Sequence, residues 1–531
     1  MEKFQNSAEQ NQKYLNGEKM SKLKKSRGAG ITLSYVNTFL NMICGLFLSA
    51  FLLRSLGDTD YGVYQTISSF ANYLVLLEFG TGTVMTRNLS ACRARNATKD
   101  EIEKNISTIW TITNVLSIVI IAVSVLFYSS LGSIYSSSLD AGQIEYAKQI
   151  FIVITVFLIV SFYLQTLNGI TLAFEHYTFT SKTSIMKVVS RTLLLVVLVP
   201  IVKKALIIAV IDALVGVSLV IYAFIYCKRN FKIKINIKSF DKSILKASLP
   251  LCMAIFLQAI VNQANSNVAK FIIGIKLDPE TVALYSVGLY VYNIFSSLTT
   301  IPISMYAPQI TKRVVNGLKG KELTDYLIQP SRLIVLIGGT VFFGFFAVGK
   351  QFVQVVYGEK YLQAWLIAII IMAPMFINMA NGVIINVLDA MNKRMSRSIA
   401  LLGTTAANIV LTLFWIDKFG IVGAACATAI CTLVGQVIVM NIYYSKAIKI
   451  KVMYMYRKTF KGILPFQITG AAAAFAIGQY IENIYLSFLV SGVVYVAISL
   501  GTFVLIGKNE TEKNMIKGIL NKVKAIVKKS A

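Results

Sequence analysis

Fourteen apolar stretches recur along this chain, separated by short polar gaps. They lie at 30–53, 61–86, 106–131, 147–174, 183–202, 204–227, 247–274, 282–307, 328–349, 362–388, 396–416, 419–444, 462–481 and 484–506. A helix needs roughly 20 apolar residues to cross the hydrocarbon layer. The pattern therefore predicts an all-α integral membrane protein of about 14 transmembrane helices. The longest outer gap, between spans 3 and 4, is about 15–20 residues and Ser-rich, too short for a soluble domain.

Charge orients the spans. Of 52 Lys and Arg residues, 42 fall in alternate gaps and in the two tails. Eight occupy the opposite gaps: Arg54, Lys148, Lys203, Lys204, Lys276, Lys350, Lys360 and Lys418. Loop cations stay on the cytoplasmic side during insertion, so both termini are predicted to be cytoplasmic. The net charge of +28 is then mostly topology, together with attraction to anionic membrane lipid. Nucleic-acid binding needs basic residues gathered on one surface; here they are dispersed over eight segments, so no nucleic-acid partner is expected.

Composition narrows the class further. A mean hydropathy of +0.66 excludes an ordinary soluble enzyme. The six cysteines form no CxxC and His176 is the single histidine, so no metal site, cofactor or histidine-based catalysis is expected. The first 27 residues are polar and basic, so span 1 is expected to direct insertion without a cleavable signal.

The chain repeats itself weakly. Leu56-Gly57-Asp58, Tyr64 and Asn72 are echoed by Leu277-Asp278, Tyr285 and Asn293. Asn168-Gly169-Ile170 is echoed by Asn381-Gly382-Val383, and Leu214-Val215-Gly216 by Leu433-Val434-Gly435. The offsets are 221, 213 and 219. Six spans per half make a parallel repeat, of the kind that encloses a cavity and rocks around it. The expected organisation is a basic tail (1–27), an N-terminal six-helix bundle (28–227), a cytoplasmic linker (228–246), a C-terminal six-helix bundle (247–446), helices 13 and 14 (462–506) and a basic tail (507–531). Within that last tail, 511–529 reads as an amphipathic helix on the inner leaflet.

Ionisable groups within spans cost roughly 2.5–3.5 kcal/mol to insert and point to a pathway or a partner. Lys270 follows Asn262, Gln263, Asn265, Ser266 and Asn267, a polar run suited to a hydrogen-bonding cavity wall. The bland alternative is a lysine that snorkels to the outer interface. Arg191 could fork onto a phosphate, or sit at the cytoplasmic headgroups. Asp212 could titrate, or pair with Arg191 or Lys270. Glu78, before Phe79-Gly80-Thr81-Gly82, faces the lumen or caps a helix. Cavity candidates are therefore Lys270, Arg191, Asn262, Asn265 and Asn267; coupling candidates are Glu78 and Asp212. Asn378, Asn381, Asn386, Asn408 and Gln436 read as cavity polarity or as interhelical glue. Pro302, Pro308 and Pro374 read as kinks.

Five stretches resemble a known family. Leu56-Gly57-Asp58-Thr59-Asp60-Tyr61-Gly62-Val63-Tyr64 and Leu76-Leu77-Glu78-Phe79-Gly80-Thr81-Gly82 look like the first two spans of polysaccharide-unit (O-antigen, Wzx-type) flippases. Leu245-Lys246-Ala247-Ser248-Leu249-Pro250-Leu251 is similar to the entry into their span 7, Ala283-Leu284-Tyr285-Ser286-Val287 to the entry into span 8, and Phe419-Gly420-Ile421-Val422-Gly423-Ala424-Ala425 to the span 12 signature. The resemblance implies a MATE-like fold of two six-helix bundles. It implies a substrate too, an oligosaccharide on undecaprenyl diphosphate, moved from the inner to the outer leaflet of the cytoplasmic membrane. It further implies polysaccharide polymerase machinery as a neighbour. Many members show Asp-Arg in span 7 where this chain reads Ala269-Lys270, which favours Lys270 as a diphosphate contact over a local ion pair. A MATE-type drug exporter is the competing reading and should favour acids over cations. A membrane polymerase or glycosyltransferase would need a sizeable outer loop; a pure scaffold would tolerate loss of Lys270.

Overall fold

The computed structural model describes residues 33, 36–95, 97–231, 235–236, 239–391 and 393–503. Every secondary-structure element among them is helical. The chain divides into two compact units, residues 1–283 and 284–531. The division falls after the seventh predicted span, whereas the sequence pattern suggested a linker at 228–246. The amphipathic helix expected at 511–529 and the basic N-terminal tail lie outside the described residues.

The first unit is built from α1 (Val36–Leu56), α2 (Asp58–Leu74), α3 (Thr81–Ala94), α4 (Lys99–Tyr135), α5 (Ala141–Ala173), α6 (Tyr177–Val202), α7 (Leu206–Phe231) and α8 (Lys242–Lys276). Helix α5 is its hub, packing on α2, α3, α4, α6 and α7. Small residues set the closest crossing. A Cβ on Gly169 would stand 2.4 Å from the Gly82 carbonyl oxygen, so α3 and α5 meet backbone to backbone. Hydroxyls follow the same seam: Thr166 shares hydrogen bonds with Thr81 at 3.2 Å and with Thr113 at 3.1 Å. Helix starts are fixed by polar caps. The Thr98 hydroxyl accepts from the Glu101 N–H, and Asp140 and Gln143 form a reciprocal capping box. The segment before α8 is tied to α4, since the Asn236 and Asp241 N–H groups donate to Ser107 Oγ and Thr108 Oγ1.

Helix α9 (Pro279–Val315) runs unbroken through Pro302 and Pro308. The second unit continues with α10 (Gly320–Val356), α11 (Gln363–Asn378), α12 (Ile384–Ala390), α13 (Arg394–Thr432), a π-turn at Leu433–Val439, α14 (Met440–Ala447), α15 (Val452–Phe460), α16 (Leu464–Gln479) and α17 (Ile484–Thr502). Helices α10, α16 and α17 pack around Ala347, Ala471, Ala474 and Tyr495, whose hydroxyl donates to the Thr340 carbonyl at 2.8 Å.

Ten described helices are long and apolar enough to cross a membrane, or eleven if the bent pair α15–α16 forms one span. The chain is a multi-pass membrane protein. The difference from fourteen has local causes. Predicted span 2 is broken into α2 and α3, part of predicted span 7 has side chains outside the described residues, and spans 11 and 12 join into one run of 52 residues, Ser396–Ala447. Gly420 divides that run with φ 56° and ψ −142°, a conformation only glycine adopts readily.

Candidate functional site

Two polar regions stand within the first unit. The first occupies the half of the spans that the charge pattern assigns to the outer leaflet. Lys270, on α8, is only 8% exposed. Its ammonium donates to Gln65 Oε1 at 2.9 Å, and the Gln65 amide donates in turn to the Tyr61 hydroxyl at 2.7 Å. Among the described residues no carboxylate pairs with Lys270. On the neighbouring helices Arg191 (α6) and Asp212 (α7) form a two-point ion pair, Nε to Oδ1 at 2.5 Å and Nη2 to Oδ2 at 3.1 Å. The helices that carry them are antiparallel neighbours joined by a short turn, which brings residues 21 positions apart face to face. Tyr61 and Tyr64 on α2 lie within electrostatic reach of Arg191.

The second region lies toward the end of the helices that the charge pattern assigns to the cytoplasm. After α2 the chain makes a 3-10 turn at Val75–Glu78, then places Phe79 (φ 50°) and Gly80 (φ 68°) in the left-handed region before α3 begins. Irregular backbone at membrane depth is tolerated where it is buried in protein or lines a cavity. Here it lines one, a cavity of about 340 Å³ bounded by the break, α5 and α8. Glu78, Gln165, Asn168, Thr83 and Thr86 supply its polar wall. The Thr86 hydroxyl is spent on the Gly82 and Gly169 carbonyls. The buried Asn168 Oδ1 has no hydrogen-bond partner, and no ion pair engages Glu78 among the described residues. Among the described residues Glu78 is the only charged side chain in the lining.

The candidates thus separate. Arg191 and Asp212 engage each other, Lys270 engages an amide, and Glu78 faces a cavity. Asn267 is half-buried one turn before Lys270. The side chains of Asn262 and Asn265 lie outside the described residues. In the second unit the amides bond to one another: Asn378 to Gln436 and Asn381 to Asn441, each at 2.8 Å, while Asn386 donates to the Ile303 carbonyl.

Sequence reasoning missed Gln65, Gln165 and Arg332. The two glutamines were visible as amides inside apolar runs. Arg332 passed as a loop cation, yet it is buried and its Nη1 donates to the carbonyls of Lys458, Thr459 and Lys461, closing the C-terminal end of α15. In the turn between α5 and α6, the His176 imidazole meets the Tyr226 hydroxyl at 2.7 Å. Burial and the nearby Arg93 hold its pKa below the ordinary value.

The fold is that of the transporters to which solved structures liken it. The lipid II flippase MurJ in an inward closed conformation aligns with a TM-score of 0.66 at 17% identity, over 89% of this chain and 98% of that one. An inward-facing multidrug resistance MATE transporter of the MOP superfamily aligns with a TM-score of 0.53 at 15% identity, over 80% and 99%. The sequence carries the assignment further: the profile of the polysaccharide biosynthesis protein family matches residues 28–312, and the chain belongs to that family. A probable low-salt glycan biosynthesis flippase, Agl15 of Haloferax volcanii, is 27% identical over 185 residues, which is 34% of this chain. The match spans 38% of the length of that curated relative.

Proposed function

We propose that this chain is a flippase. It carries an oligosaccharide linked to a polyprenyl (undecaprenyl) diphosphate from the inner to the outer leaflet of the cytoplasmic membrane, for surface polysaccharide synthesis. Family membership over 28–312 supports the glycan pathway, and the likeness to MurJ supports a fold able to handle a lipid-linked head. One observation carries the reading to a substrate class. Lys270 is a buried cation held by a neutral amide, so its charge remains uncompensated by protein among the described residues. A buried charge without a counterion is costly, and a diphosphate would supply one.

The transport step makes and breaks no bond. A cavity lined by amides and a cation replaces water around the head by alternating exposure to the two faces, while the polyprenyl tail stays in lipid. Glu78 is the coupling acid of this scheme. Asp212 is the weaker candidate, because Arg191 already engages it. A MATE-type drug exporter would rely on acids for its substrate, and it gives no role to Lys270.

Deletion of the chain tests the proposal. Lipid extracts should accumulate an oligosaccharide on polyprenyl diphosphate while surface glycan falls. Unchanged glycan with no precursor would rule the proposal out.

A further inference from the structure

The cavity beside Glu78 differs chemically from the surroundings of Lys270. Among the described residues its only charged lining group is a carboxylate, which repels phosphate. Its remaining polar wall is amide and hydroxyl, and two of its groups have unmet capacity. Among the described residues Asn168 Oδ1 is buried without a donor, and the Gln165 side chain is exposed at the cavity. The rest of the lining is apolar and includes Phe79 and Phe256, stacked at 4.4 Å between ring centroids. A ligand that suits both walls carries several hydroxyl or amide donors, an apolar C–H face and no negative charge. A sugar ring has that profile. The volume of about 340 Å³ falls at the lower end of the roughly 300–1,000 Å³ of small-ligand pockets. Discontinuous helices form substrate sites in transporters of repeated architecture, and the break at 75–80 supplies one here.

We infer that the cavity bounded by Glu78, Gln165 and Asn168 is a subsite for an uncharged sugar ring of the lipid-linked oligosaccharide, distinct from a diphosphate contact at Lys270. This rests on the flippase reading and adds to it a position at which the glycan itself is recognised. The left-handed Phe79 and Gly80 break the helix at the cavity, and the close Gly82–Gly169 crossing holds α5 against the break.

The test uses the full chain in nanodiscs and two probes: synthetic undecaprenyl diphosphate, and the precursor lipid extracted from a strain lacking the chain. Wild type should bind the glycosylated lipid at least tenfold more tightly than the bare carrier. Gln165→Leu and Asn168→Leu should each reduce that ratio at least fivefold, and Gln165→Asn, which keeps the amide, should retain part of it. A ratio unmoved by either leucine variant overturns the subsite and leaves the flippase reading standing. A wild type that binds neither lipid, in a strain that accumulates no precursor, overturns the flippase reading itself.

Discussion

Within one unit, the polar regions around Lys270 and around Glu78 meet the cost of burial in opposite ways. Around Lys270 the charged groups are engaged by side chains: Arg191 with Asp212, and Lys270 with Gln65, which itself donates to Tyr61. Around Glu78 the groups are left open, the backbone leaves helical geometry, and a cavity takes the place of packed side chains. A matched network stabilises a single arrangement. An unmatched wall stores binding capacity for something absent from the chain. Lys270 shares features of both, being held by a hydrogen bond to Gln65 yet unbalanced in charge among the described residues.

The comparison can be broken at several places. The largest effect is expected at Lys270. Lys270→Ala should lower complementation of a deletion strain by more than tenfold, and Lys270→Arg should keep much of it. Equal, near-normal activity of the two variants would make Lys270 an interfacial anchor. Next is the ion pair. Arg191→Leu leaves the Asp212 carboxylate buried without a partner, which costs on the order of 3–5 kcal/mol. Arg191→Leu combined with Asp212→Leu should recover most of the loss in thermal unfolding of the purified protein. If the double variant is no better than the single, the pair is not the closed unit described.

A smaller effect is expected where the two regions share a scaffold. Gly169→Ala drives a methyl group against the Gly82 carbonyl and should cost about 1–3 kcal/mol by overpacking, read as a fall in melting temperature. The smallest is at His176. Its lowered pKa means that the unfolded chain takes up a proton first, at its ordinary value of 6.5. The contribution is therefore complete above that pH and is lost as pH falls below it toward the folded value. Between about pH 7.5 and pH 5.5, wild type should lose slightly more melting temperature than His176→Gln; identical slopes would contradict the assignment.

Much of this was legible in the chain before any coordinates. Apolar periodicity located helices because each span must satisfy its own backbone, and the rarity of charge inside spans singled out Arg191, Asp212, Lys270 and Glu78. What could not be read was partnership. Nothing local links Gln65 to Lys270, which lies 205 positions away. The break at Phe79-Gly80 was hidden because Val75-Leu76-Leu77 before Glu78 and Phe79 after it carry the apolar run across the break. Helix α15 is too short and too basic to register as a span. Arg332 resembled a topological charge because its carbonyl partners come from that helix.

The most direct test of the central claim is translocation by the purified chain in liposomes. The probe is the lipid-linked oligosaccharide from a deletion strain, and exposure of its head to an external glycosidase is followed in time. Flipping well above the rate of protein-free vesicles, abolished by Lys270→Ala and retained by Lys270→Arg, is the predicted result. A rate equal to that of empty vesicles, from protein shown to be folded, would contradict the account.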